Sequence, residues 1–346
     1  MTRWKIAAGV AALAASLSLA SAAPNDEPAD GLVYDAMTAP ESVSYVGTVQ
    51  VVNIRNQGSQ ACEYRIEHRA PGLTERTYLS PPRLRGDEIL TRGQQSTYVD
   101  VHHHRVMASE NAAADDQIAR DDNYILMRAN YRAVKQAAEA FDGRAVRDVA
   151  LINKYTNHVT MLVRVDEQTK LVLDKQQFAA DGSLVDEVRF EDVRFTPEMP
   201  QSDFAVPRNY SAVAGQTFDV PSKDVAAVVR SAGFPARVPT FLPDGFSAVE
   251  GHVIQVKRVA TLHVLFSDGI QTVSLFESSG DAALDMQPLH PRSLNVAGHD
   301  ARYAEQGPNA LLAWTDGSLH FALLGDLRLD ELRRIASSLK PQTVSR

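Results

Sequence analysis

Few residues in this chain have the types and spacing that chemistry needs. The most conspicuous are His102, His103 and His104, since imidazoles bind transition metals where several donors converge. In an extended chain His102 and His104 share a face while His103 points away, so two could reach one ion and a distant third ligand would be required. Asp121-Asp122 is a carboxylate pair of the kind used in acid–base catalysis, but it closes the polar, acidic run Asn111–Asp122 and reads as solvated. Asp268 could act as an acid. Its place in Ser267-Asp268-Gly269, between two apolar runs, is explained better by a tight hairpin turn. Cys62 is the only cysteine, which rules out an intrachain disulfide and metal sites built on paired cysteines. It lies in an alternating run and reads as a small buried residue. There is no glycine-rich phosphate loop, no H-E-x-x-H and no G-x-S-x-G; Gly245-Phe246-Ser247 lacks the closing glycine. Neither an enzyme nor a cofactor is indicated. The chain reads as a binding protein.

Its 346 residues suffice for about two domains. With 44% hydrophobic and 23% charged residues the composition is that of an ordinary globular protein. A net charge of −8 argues against nucleic acid or an anionic membrane as the principal partner. Arg3 and Lys5 followed by the apolar run Ile6–Leu19 and by Ala20-Ser21-Ala22 fit a cleaved signal peptide over residues 1–22. Removing Arg3 and Lys5 takes 35 basic residues to 33 against 43 acidic ones, hence −10. The expectation is an exported, soluble protein without a lipid anchor.

From Ser44 onward the pattern is mostly β. Ser44–Ile54, Ala61–His68, Glu75–Leu79, Glu88–Thr91, Ser96–Val101, Ala145–Asn153, His158–Asp166, Lys170–Phe178 and Leu184–Phe195 read as strands separated by turn signals. Tyr131–Ala140 has helical spacing and helical propensity inside this β array. Tyr45, Val49, Ile66, Tyr78, Tyr98, Val163 and Phe190 supply an apolar face. If the sheet curves, that face becomes a hydrophobic cavity for apolar ligands; the alternative is that it is simply core. Three prolines in Phe195–Arg208 mark the end of a first domain over residues 30–208, with a linker at 209–220. A second unit over 221–340 opens with a helix Lys223–Ser231 capped by Ser222. It continues through the hairpin Leu262–Glu277 and ends in an amphipathic helix Leu329–Leu339. On the hairpin's first arm Leu262, Val264 and Phe266 share a face; the second arm does not alternate and reads as buried on both faces or bulged. The fold class is α+β, mainly β: a large curved antiparallel sheet plus a smaller α+β domain.

Several short motifs fall in a telling order. The first half contains Ser44-Tyr45-Val46-Gly47, Glu67-His68, Asn130-Tyr131-Arg132, Phe141-Asp142-Gly143-Arg144 and Phe204…Pro207. The second contains Leu242-Pro243-Asp244-Gly245-Phe246, Ser267-Asp268-Gly269 between apolar arms, and Val273-Ser274-Leu275-Phe276. Together they resemble the RseB/MucB family of periplasmic envelope-stress regulators, with Pro243, Gly245, Phe246, Ser267, Asp268 and Gly269 as the signature of the second domain. The resemblance implies a LolA/LolB-like half-open β-barrel with covering helices, followed by a small α+β domain. It also implies a strand at Tyr131–Ala140 and a periplasmic location. The implied activity is binding the periplasmic part of a membrane-anchored anti-sigma factor and shielding it from proteolysis, with release by lipid, lipoprotein or lipopolysaccharide-like amphiphiles. A LolA-type lipid or lipoprotein carrier is the alternative. Homo-oligomers are compatible with either.

Overall fold

The computed structural model describes residues 28–55, 58–93, 95–110, 120–137, 140–196, 198–213, 221–256, 259–279, 286–306 and 309–341. The expected signal peptide, and residues 111–119 of the acidic run, lie outside them.

Among the described residues twelve strands form one sheet. In chain order they are β1 (Tyr45–Arg55), β2 (Gly58–Arg69), β3 (Leu73–Ser80), β4 (Glu88–Arg92), β5 (Gln95–Asp100) and β6 (Arg105–Glu110). Then follow β7 (Tyr131–Gln136), β8 (Val146–Asn153), β9 (Val159–Asp166), β10 (Val172–Phe178), β11 (Leu184–Phe195) and β12 (Ser211–Val213). The spatial order is β12-β6-β5-β4-β3-β2-β1-β11-β10-β9-β8-β7. Every pairing is antiparallel except the short parallel one between β12 and β6. Register shifts at Thr48/Val49, Glu63/Tyr64, Leu151/Ile152 and Val172/Asp174 are the irregularities by which long strands bend and twist more strongly. Ser211–Val213 lies in the stretch expected to be a linker, yet it extends the edge of this sheet.

Tyr131–Gln136 is strand, against its helical propensity. Ala133 and Val134 are both buried, in separate apolar clusters, so alternation across a sheet satisfies both where one helical face could not. Two helices cover this end of the sheet. α1 (Asp30–Thr38) buries Val33 and Ala36, and α2 (Arg120–Asn130) buries Met127, against Ala133, Val149, Leu151, Val163 and Val165. Residues 120–122, the end of an acidic run whose sequence reads as a loop or a short helix, begin α2.

The second sheet has seven described strands: β14 (Ser247–Val256), β15 (Val259–Ser267), β16 (Thr272–Ser279), β17 (Arg292–Val296), β18 (His299–Gln306), β19 (Asn309–Asp316) and β20 (Leu319–Gly325). A two-stranded ribbon, β13 (Arg237–Pro239) with β21 (Leu339–Pro341), stands beside it. Both arms of the hairpin Leu262–Glu277 are buried on both faces: Leu262, Val264 and Phe266 point to the main core, while His263 and Leu265 on the other face are equally enclosed. α3 (Val225–Arg230) is capped by Asp224, whose carboxylate accepts the Ala227 amide at 3.0 Å. Ser222, the expected cap, instead exchanges backbone hydrogen bonds with Gly251.

α4 (Leu329–Ser337) places Leu332, Ile335 and Ala336 in the core with Val228, Leu275, Leu312 and Leu323. Leu332 is wholly buried, so Leu332→Ala is expected to cost about 2–5 kcal/mol through lost transfer energy and a residual cavity. Urea denaturation of the second domain measures this; a loss under about 1 kcal/mol would mean that α4 is peripheral to that core.

Candidate functional site

The two sheets meet where α2 passes directly into β7. Asn130, the last residue of α2, sends its side-chain amide across the junction. Its Nδ2 donates to the Gly245 carbonyl and to the Asp268 carbonyl, each at 2.9 Å. Its Oδ1 accepts from the Tyr155 hydroxyl at 3.1 Å. The next residue, Tyr131, is 2% exposed, and its hydroxyl donates to Asp268 Oδ2 at 2.5 Å. The other carboxylate oxygen, Oδ1, accepts the Ile270 and Gln271 amides at 2.9 and 2.8 Å. One carboxylate therefore closes the turn of its own hairpin and holds the neighbouring domain. Ile270, just past the turn, packs on the cluster under α1 and α2.

The fit is close. A Cβ at Gly269, where φ is +100°, would lie 2.3 Å from the Met127 amide nitrogen. At Gly245, where φ is +85°, it would lie 2.8 Å from Asn130 Cγ. Both positions need glycine for backbone conformation and for close approach. Asp326, between β20 and α4, makes a second bridge: Oδ1 accepts the Thr272 amide at 2.9 Å and Oδ2 accepts from Gln177 Nε2 at 3.3 Å. A cleft of about 250 Å³ opens beside these contacts, with His158, Thr160 and Phe178 on one side and Phe241, Phe246 and Arg328 on the other.

Electrostatics make the junction adjustable. Burial raises the Asp268 carboxyl, against the hydrogen bonds from Tyr131 and the turn amides. Burial also pushes Asp326 up to about 6, and the charge of Asp268 adds to the shift. The Tyr131 phenol is raised by burial and by Asp268, so it stays protonated and donates. These groups suit docking of one domain on the other.

The seven residues expected to form the apolar face separate into three environments. Tyr45, Val49, Ile66 and Phe190 come together in a buried cluster with Phe141, Leu171 and Leu173. There Tyr45 stacks on His68 at 4.9 Å and meets Phe190 edge-on at 5.7 Å. Val163 lies under the helices. Tyr78 and Tyr98 are only partly buried. Tyr78 meets Tyr64 edge-on at 6.1 Å, and the Tyr98 hydroxyl donates to Asp87. The histidine run does not form an extended strand: residues 101–104 make a turn in which His103 is held by Asp100 and His104 has φ of 54°. Among the described residues no group of three or more His, Cys, Asp or Glu is placed to hold a metal ion.

A family model described as the MucB/RseB N-terminal domain matches residues 32–207. The chain belongs to the MucB/RseB family. Among solved structures it is similar to MucB in complex with MucA(peri), at 14% identity and a TM-score of 0.62 over 91% of this chain and 100% of that one. It is also similar to MucB in the Pseudomonas aeruginosa MucA/MucB complex, at 15% identity and a TM-score of 0.63 over 91% and 99% of the two chains. MucB alone matches at 15% identity with a TM-score of 0.54, over 91% and 98%. No curated protein sequence matches the chain. In this MucB/RseB member the signature residues Gly245, Asp268 and Gly269 converge with Asn130-Tyr131 of the first domain, while Pro243 and Phe246 line the adjoining cleft. Ser267 shapes the turn, accepting the Gly269 amide and donating to the Gln271 carbonyl. Sequence reasoning gave Asn130, Tyr131, Gln177 and Asp326 no role at a site. The one signal available was that Asn130-Tyr131 itself belongs to a family motif.

Tyr131→Phe leaves a buried carboxylate oxygen unsatisfied, which is expected to cost about 1–3 kcal/mol of docking energy. Gly269→Ala cannot dock without displacing the α2 backbone. Both should convert one unfolding transition into two, or separate existing transitions further, in calorimetry; a single unchanged transition would show that the contacts are incidental. The carboxyls also set a pH dependence. Their pKa values are raised in the docked state, so docking is firmest below about pH 4, the ordinary carboxylate range. It weakens as pH rises through about 6. Interdomain distances from spin labels, followed between pH 4 and 7, should lengthen or broaden, and Asp326→Asn should flatten the response.

Proposed function

We propose that this chain acts in the periplasm as a non-enzymatic regulator. It binds the periplasmic part of a membrane-anchored anti-sigma factor and slows its proteolysis, and it lets go when a lipid or lipopolysaccharide-like amphiphile occupies the protein. The observation that carries this reading is that the likeness to MucB seen with periplasmic MucA extends through both sheets, over 91% of the chain. A match confined to the first sheet would suit a one-domain carrier equally well.

An amphiphile releases a partner only if it favours a conformation that the partner disfavours. A junction of a few hydrogen bonds around one inserted isoleucine is a reasonable element for that shift, since polar interdomain contacts permit relative movement. The mature protein, used as bait on detergent-solubilised membranes, is expected to recover one single-pass protein encoded beside a sigma factor. Adding it should slow cleavage of that protein by its first protease. Recovery of no such protein, with cleavage unchanged in a deletion strain, would overturn the proposal.

A further inference from the structure

We infer that Arg76 makes the open part of the first sheet's apolar face selective for amphiphiles with an acidic head group; this rests on the amphiphile binding proposed above. The cross-strand register runs Ile66, Arg76, Ile89, Tyr98, Met107, Val213 from β2 to β12. Residues directly opposed across strands share a face, so this is one row. It leads from the buried cluster out to solvent: Ile66 is 6% exposed, while Met107 and Val213 are each 44% exposed. Tyr64 and Tyr78 lie opposite each other in the row alongside.

Arg76 is the one charged residue in that row. It is exposed, and its guanidinium lies over the Tyr64 ring at 5.7 Å from the centroid. Among the described residues it forms no ion pair. The acids nearest in sequence point the other way: Glu67 pairs with Glu75, and Glu88 with Thr77, in the alternate positions of the same strands. Asp87 is occupied by the Tyr98 hydroxyl and the Val101 amide. The positive charge of Arg76 reaches Tyr45, Tyr64 and Tyr78, opposing the upward push that burial gives each phenol.

A guanidinium over an aromatic ring, with no ion pair of its own, keeps N–H donors available to a carboxylate or phosphate. An acyl chain laid along Tyr98 and Met107 would cover the apolar part of the row. A neutral head group would leave the cation partly desolvated without a partner, which is unfavourable. Charge complementarity therefore fixes the occupant as a single-chain or lipid amphiphile bearing an acid.

The test compares dodecanoate, dodecyl phosphate and uncharged monododecanoylglycerol on the mature full chain by calorimetry, with inorganic phosphate alone as a fourth arm. The two acids are expected to bind on the order of tenfold tighter than the neutral compound, as for a charge-assisted hydrogen bond. The preference should shrink as salt rises. Arg76→Glu should abolish it without weakening the neutral compound, and Arg76→Lys should retain part of it. Equal binding of all three heads, or a preference that survives Arg76→Glu, overturns the inference while leaving amphiphile binding intact. Binding of phosphate alone as tightly as dodecyl phosphate also overturns it, since the acyl contact would then be irrelevant. Loss of the protein partner in Arg76→Glu with unchanged amphiphile binding assigns Arg76 to the partner instead. Failure of every amphiphile to bind removes the underlying reading and the inference with it.

Discussion

The buried carboxylate of Asp268 is at the centre of the contacts through which the two halves of this molecule meet. It has two oxygens and divides them: one fixes the local turn through two backbone amides, the other receives the Tyr131 hydroxyl. A hairpin turn is normally a surface feature, free to vary. Here its geometry is tied to a helix–strand corner 137 residues away in sequence, and Gly269 brings the turn against the backbone of that corner. Changing the turn changes the docking. Because no cation neutralises Asp268 or Asp326 across the junction in the contacts described, the arrangement depends on hydrogen bonding and local protonation.

This division of labour suits the proposed holding and release of a partner. A large apolar interface would fix the domains permanently, and a bare linker would not transmit anything. The junction has one isoleucine inserted into an apolar cluster, a handful of directed hydrogen bonds and a small cleft lined by both domains. The apolar face of the first sheet is separate from it. Part of that face is sealed as core around Tyr45 and Phe190, and part stays open toward β6 and β12.

Much of the fold was legible in the sequence. Alternation marks β2, and Asp268-Gly269 marks the hairpin Leu262–Glu277, because period-2 burial and positive φ leave strong residue signatures. α2 was not legible. Arg120–Asn130 begins with charged residues and has a short consecutive apolar run, Ile125-Leu126-Met127, of which Met127 is buried against the first sheet while Ile125 is 65% exposed, so the run shows no periodicity to read. The short strands β6 and β17 likewise lack alternation clear enough to read. At residues 131–136 local propensity pointed to helix and the family resemblance to strand; packing on two sides of a sheet decides for strand.

The candidate site was half visible. Gly245 and Asp268 stood out as family markers, and each had a sufficient local explanation in a turn, so neither demanded a distant partner. Their common partner, Asn130, offers no chemistry of its own, and its role follows only from geometry. The residues of the apolar face could be named but not sorted into core and open surface, since that depends on where the helices lie.

The most direct measurement of the central claim is the affinity of the partner's periplasmic segment for the wild-type chain and for Tyr131→Phe, with circular dichroism confirming that both are folded. If the docked arrangement is the one that holds the partner, removing the hydroxyl should weaken binding by roughly tenfold or more, the equivalent of one lost buried hydrogen bond. Equal affinity in the two proteins would contradict the account, because the junction would then have no part in holding the partner.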